Sequence, residues 1–156
     1  FTREERRHTY YEIYKDMVAD KVDFVYDDEL HVREYIDEDM EDIVRMRSKE
    51  ENAILEDYLR CKENSYVLSD GYGILYGYIF MEAKGEILEI VDLYIDKKER
   101  RKGNGSYMLA EVEKIVKNKG YRKLKIRNIT EGHVDKFFWY SEFTNYDDNE
   151  YLQKYL

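Results

Sequence analysis

Apolar positions along the chain switch from helical to alternating spacing and back, and the switches mark out its elements. Tyr10, Ile13, Tyr14, Met17 and Val18 recur at the spacing of one helix face. Thr2, Arg3, Glu4 and Glu5 read as a capping box ahead of them, so a helical extension is expected over residues 1–20. Residues 22–26 read as a short strand or an extended link. Residues 30–35 read as the first firm strand, in which Leu30 and Val32 alternate and Tyr35 breaks the parity. Asp37 suits an N-cap for a helix carrying Met40, Ile43, Val44 and Arg47, with acids at 37–39 at its positive end. Ser48 and Glu51 form another capping box, followed by Ile54, Leu55, Tyr58 and Leu59 on one face.

The period then becomes two. Residues 65–69 are strand-like, and Asp70-Gly71-Tyr72-Gly73 is turn chemistry. Residues 74–83 form a long β-rich run in which Gly77 marks a bulge or a close backbone approach. Lys84-Gly85 turns the chain into a strand over residues 86–95, so residues 65–95 predict an antiparallel meander. Helical spacing returns at Met108, Leu109, Val112, Ile115 and Val116, and Gly120 stands where a helix ends. Leu124, Lys125, Ile126 and Arg127 alternate as a further strand. No linker, repeat or low-complexity stretch interrupts residues 1–156, and a single domain is expected.

Composition narrows the function classes. The 156 residues with 43% hydrophobic content support one packed core. Seventeen Tyr serve both packing and a wet surface, having an apolar body and a polar tip. A formal charge of −9 argues against nucleic acid as a general ligand and leans toward a cationic partner, such as a polyamine, an amino sugar or a Lys-rich peptide. The lone Cys61 excludes an internal disulfide and, on a helix, reads as a buried inert thiol. His8, His31 and His133 have no companions at ligand spacing, so no metal site is expected. No membrane-spanning run or signal peptide is evident, and a cytoplasmic location is the default expectation.

The segment after the meander carries the most chemistry. The strand ending at Ile95 leads through Asp96, Lys97, Lys98 and Glu99 into Arg100-Arg101-Lys102-Gly103-Asn104-Gly105-Ser106, and a helix starts at once. Glycine lets backbone approach a ligand, and the free amides and dipole of the following helix favour an anion. A Walker loop would need a Lys between Gly105 and Ser106. A dinucleotide fingerprint would need Gly where Met108 stands, after a strand opening a parallel βαβ unit.

The loop resembles the pyrophosphate loop of the GCN5-related N-acetyltransferases, Gln/Arg-x-x-Gly-x-Gly/Ala, with Arg100, Gly103 and Gly105 in its fixed places. The likeness runs from about residue 30 to the end. Phe137-Phe138-Trp139-Tyr140-Ser141-Glu142-Phe143 is similar to the family's Phe-Tyr-x-x-x-Gly-Phe stretch, and residues 151–156 to its closing strand. The resemblance implies an α/β (α+β) fold, with a mixed, mainly antiparallel central sheet flanked by helices, plus the extra N-terminal helix. It implies acetyl-CoA as cofactor, held by Leu93, Tyr94 and Ile95 along the pantetheine arm. Arg100, Arg101, Lys102, Gly103, Asn104, Gly105 and Ser106 would hold the phosphates, and Asn128 would touch the cofactor from the next strand.

Acyl transfer from a thioester to an amine needs a proton acceptor for the amine, donors to polarise the carbonyl, and a proton for the leaving thiolate. The resemblance places the carbonyl donor in the backbone at residues 93–95. Glu89, eleven positions before Arg100, matches the catalytic glutamate of the histone acetyltransferase branch. Strict alternation puts it on one face with Ile87, Val91, Leu93 and Ile95, and Asp92 on the other. The family's acid, a Tyr, falls on Phe138, which cannot donate a proton; Tyr140 is the nearest replacement. Three readings follow: an N-acetyltransferase acting on a primary amine of a small molecule, peptide or protein by direct attack, a CoA-binding module without chemistry, and a protein-interaction module. In the last, the N-terminal helix could serve a partner or a homodimer.

Overall fold

The computed structural model describes residues 28–47, 51–127, 134–146 and 150–156. The expected N-terminal helix, the link at 22–26, the box at Ser48 and the candidate Asn128 lie outside these residues. Six strands form one sheet in chain order: β1 (Leu30–Glu34), β2 (Ser65–Asp70), β3 (Leu75–Lys84), β4 (Ile87–Ile95), β5 (Lys123–Arg127) and β6 (Tyr151–Tyr155). All neighbours run antiparallel except β4 and β5, which are parallel. A helix between them, α3 (Asn104–Asn118), supplies the crossover a parallel pair requires.

Two apolar layers sandwich the sheet. On one face Ile43 of α1 (Met40–Arg47) and Tyr58 and Cys61 of α2 (Glu51–Cys61) pack on Val67, Tyr78 and Phe80. On the other, Met108, Leu109, Val112 and Val116 of α3, with Phe138 of α4 (Val134–Tyr140) and Phe143, cover Ile79, Leu88, Ile90 and Leu124. The helical spacing read in α3 is this buried stripe. Gly120 follows its end with φ +99, the left-handed conformation that closes helices.

Some local expectations change. Asp37 does not cap α1. A 3-10 turn (Asp37–Asp39) precedes the helix, and the Asp39 carboxylate accepts the Ile36 amide at 2.9 Å and both Arg33 prongs at 2.8 Å. Asp37 instead accepts the Tyr58 hydroxyl at 2.9 Å, tying α2 to the turn. Leu59, placed on the apolar face of α2, is 61% exposed. Tyr35 leaves the strand pattern because the chain departs from β1 at Glu34, turning its ring into the α1–α2 layer.

Gly77 is a close approach. A Cβ there would stand 2.6 Å from the Tyr94 carbonyl oxygen and 2.6 Å from Ile95 Cδ1. The register of β3 against β4 also slips. Phe80 faces Asp92 but Met81 faces Ile90, leaving Val91 as an extra residue. Such a bulge reverses side-chain parity beyond it. This corrects the face assignment on β4: Leu93 and Ile95 join the α3 layer, whereas Asp92, beside the Tyr78 hydroxyl, and Tyr94 face α1 and α2 with Val91. Among the described residues no helix is long and apolar enough to cross a membrane.

Candidate active site

The parallel strands β4 and β5 part company halfway. Ile87 to Ile90 pair with Lys123 to Ile126, and among the described residues no β5 partner follows for residues 91–95. That half of β4 keeps its bonds to β3 while its other edge opens into a wedge. Leu93, Tyr94 and Ile95 lie in this unpaired stretch at the end of β4, an edge of the kind that can bond an extended ligand.

The glycine loop stands at the wedge mouth and is held by its own side chains. Asp96 accepts the Lys98 amide at 3.3 Å. Arg100 Nε donates to the Ile95 carbonyl at 2.8 Å, and Asn104 Nδ2 donates to the Glu99 carbonyl at 2.8 Å. Lys102 pairs with Glu99 at 3.1 Å. Gly103 precedes α3 with φ +79, and nothing lies within 4 Å of where its Cβ would be. The first helical bond is Tyr107 N–H to the Gly103 carbonyl, 3.0 Å. The amides of Asn104, Gly105 and Ser106 thus precede the intrahelical ladder and point out of the helix end. Arg101 takes φ +62 and is exposed. Arg100 differs from expectation in detail: its guanidinium folds back onto β4, 4.8 Å from the Tyr94 ring centroid, and anchors the loop to the strand. An open strand edge leading to a helix end with outward amides fits coenzyme A, whose pantetheine is a linear amide and whose pyrophosphate is an anion.

The carboxylates sort by the bulge. Glu89 lies before the wedge, its side chain 17% exposed, between Lys84 at 3.3 Å and Lys125 at 3.7 Å. Asp92 lies beyond it. Its Oδ2 accepts the Tyr78 hydroxyl at 2.6 Å and stands 3.7 Å from Arg47. Tyr78 is fully buried. Burial first, then the Asp92 charge, pushes its phenol well above the usual range, so it stays a donor. Arg47 also lies 4.7 Å from the Tyr94 centroid, and the Tyr94 hydroxyl donates to the Met46 carbonyl at 3.3 Å. Sequence reasoning named neither Tyr78 nor Arg47 as a site residue, and placed Arg47 only on its helix. An acid between apolar neighbours in a strand was the signal for Asp92, and strict alternation turned it to the wrong side.

The aromatic stretch after β5 contributes packing. Phe138 is 2% exposed and meets Phe143 edge-on, ring centroids 5.1 Å apart. Phe137 lies against the loop, where a Cβ on Gly105 would stand 3.3 Å from its ring. Tyr140, at the end of α4, is 88% exposed. Glu142 occupies the family's glycine place with φ +72.

A sheet whose parallel pair ends early beside a glycine loop and a helix end with outward amides is the scaffold of acyl-CoA-dependent transferases. The model of the acetyltransferase (GNAT) family matches residues 22–138, and the chain belongs to that family. PaiA N-acetyltransferase of Thermoplasma acidophilum, solved with coenzyme A, superposes with a TM-score of 0.64 at 19% identity, covering 82% of this chain and 99% of that one. Ard1 of Thermoplasma volcanium gives 0.67 at 16%, covering 81% and 97%. The ribosomal-protein-S18-alanine N-acetyltransferase of Escherichia coli gives 0.64 at 12%, covering 82% and 93%. These likenesses establish the fold. No curated protein matches the chain significantly.

Proposed function

We propose that the chain is an acetyl-CoA-dependent N-acetyltransferase acting on a primary amine by direct attack. The observation that carries this reading is the parting of β4 from β5 after Ile90, with the Gly103–Gly105 loop at its mouth. Bound acetyl-CoA supplies an activated acyl thioester. Residues 93–95 offer backbone groups along its arm, and the amides at 104–106 offer donors and a helix dipole to its phosphates.

The amine must lose a proton, and two carboxylates on the α1–α2 face are candidates. Asp92 is favoured over Glu89. It lies beyond the bulge beside the open edge, whereas Glu89 is held by two lysines in the stretch still paired with β5. Tyr78 fixes the Asp92 carboxylate by donating to its Oδ2. Phe138 has no hydroxyl, and Tyr140 stands at the exposed end of α4, so water is the simpler proton source for the thiolate.

Calorimetry with acetyl-CoA and a Gly103→Glu control tests the cradle; roughly micromolar binding, lost in the control, is expected. Thiol-release assays over an amine panel then compare Asp92→Asn with Glu89→Gln. Asp92→Asn should lower kcat by about 10²–10⁴-fold with acetyl-CoA binding intact. If Glu89→Gln causes that loss instead, the base is Glu89. Tight binding with no turnover of any amine leaves a CoA-binding module, the reading that Phe138 supports.

A further inference from the structure

Resting on the transferase reading, we infer that the acceptor amine also carries an anionic group, a carboxylate or a phosphate, held by Arg127 and Lys125 beside Tyr151. The cofactor loop opens α3, and α3 and α4 occupy one face of the sheet at the wedge. An amine must therefore approach from the other face, the one that carries Asp92 and Glu89.

On β5, Leu124 is buried and Ile126 packs in the α3 layer, so alternation delivers Lys123, Lys125 and Arg127 to the acceptor side. Register places Tyr151, Gln153 and Tyr155 of β6 opposite Arg127, Lys125 and Lys123 in turn. Lys125 Nζ stands 4.2 Å from the Tyr151 centroid, the Arg127 guanidinium 5.7 Å from the same ring, and Lys123 Nζ 5.4 Å from Tyr155. A ring steadies a cation through its quadrupole without neutralising it, so the Arg127 charge stays available to an anion, while Lys125 divides its charge with Glu89. Glu89 is shared between Lys84 and Lys125, and Arg127 has no carboxylate within ion-pair distance among the described residues. In a chain of net charge −9 this row is a local reversal of sign.

Its position gives the row a role. Ile126–Ile90 is the last ladder pair, so Arg127 is the first β5 residue past the apex, across the mouth from Val91 and Asp92. A bifunctional acceptor would set its amine at Asp92 and its anion at Arg127, whose planar fork suits carboxylate and phosphate oxygens. The net negative charge acts at longer range and is screened over about 10 Å at moderate salt, so it does not decide the local preference.

The test uses matched amines at fixed salt: tyrosine against tyramine, O-phosphoethanolamine against ethanolamine, and spermidine as a cationic amine. The tyrosine and phosphoethanolamine arms separate carboxylate from phosphate. At least one anionic member should win by about 10- to 100-fold in kcat/KM, mainly through KM, the range a charge-assisted hydrogen bond supplies. That margin should collapse in Arg127→Gln. Preference for spermidine or the neutral members, or a margin that survives Arg127→Gln and Lys125→Gln together, overturns the inference. If no amine is turned over, the transferase reading fails separately, and CoA-loaded protein is titrated with N-acetyltyrosine and N-acetyltyramine. Binding of the former alone, lost in Arg127→Gln, upholds the anion site; equal binding or none overturns it.

Discussion

Replacing Gly77 by Ala should damage the wedge from behind. The new Cβ would lie 2.6 Å from the Tyr94 carbonyl oxygen, 2.6 Å from Ile95 Cδ1 and 3.3 Å from Ile95 Cα. Non-bonded carbons prefer about 3.5–4.0 Å. The Ile95 side chain can turn aside, but the carbonyl can retreat only if β4 moves away from β3, and the wedge is the side left to move into. Overpacking of this kind costs about 1–3 kcal/mol, and relief of glycine's strand penalty returns roughly 0.5–1 kcal/mol. A net loss of about 1–2 kcal/mol should lower Tm by roughly 2–8 °C for a domain of this size. Thermal unfolding measures that part. Calorimetry with CoA well below Tm measures the other, where affinity should fall because the strand edge has shifted. Val112→Ala is the control, a fully buried α3 position whose truncation destabilises while leaving CoA affinity alone. An unchanged Tm refutes the packing argument. A lowered Tm with wild-type affinity refutes the link from Gly77 to the wedge.

Glu142→Gly should raise Tm by about 2–4 °C, because Glu142 holds φ +72 and relief of that conformation is worth roughly 1 kcal/mol. Its side chain is 84% exposed and reaches Lys154 only at 3.9 Å, so a fall in Tm would show that this contact outweighs the strain. Alkaline pH should destabilise the fold. Burial pushes the Cys61 thiol from 9.0 up to about 11; burial and then the Asp37 hydrogen bond push the Tyr58 phenol from 10.0 up to about 12. Tyr35 and Tyr78 are raised further, chiefly by burial. The folded chain keeps these protons where the unfolded chain releases them, so their stabilisation is complete below pH ~9 and is lost as pH rises, by about 1.4 kcal/mol per unit for each group titrating in that window. Thermal unfolding from pH 7 to 11 should show Tm falling from near 9, and a flat profile would contradict the burial argument.

What was legible in the sequence was whatever a local period or turn residue dictates. The meander, the glycine loop and the α3 stripe follow from alternation, from Gly103 and Gly105, and from spacing between Met108 and Val116. What was hidden depends on partners distant in sequence. Three consecutive acids announce a helix start, but Arg33 selects Asp39, and Tyr58, 21 residues beyond Asp37, claims that one. The bulge at Val91 leaves no mark on composition or on β4's own apolar content, yet it decides that Asp92 faces the α1–α2 layer and Ile95 the α3 layer. Charge shows the same limit. A total of −9 suggests a cationic partner, but total charge does not say where charge sits. The β5 alternation Leu124, Lys125, Ile126, Arg127 already gathers cations on one face; only the early end of the β4–β5 pairing makes that face the one on which we propose the acceptor docks. A sequence pattern fixed the sign of that surface, and the topology gave the sign its consequence.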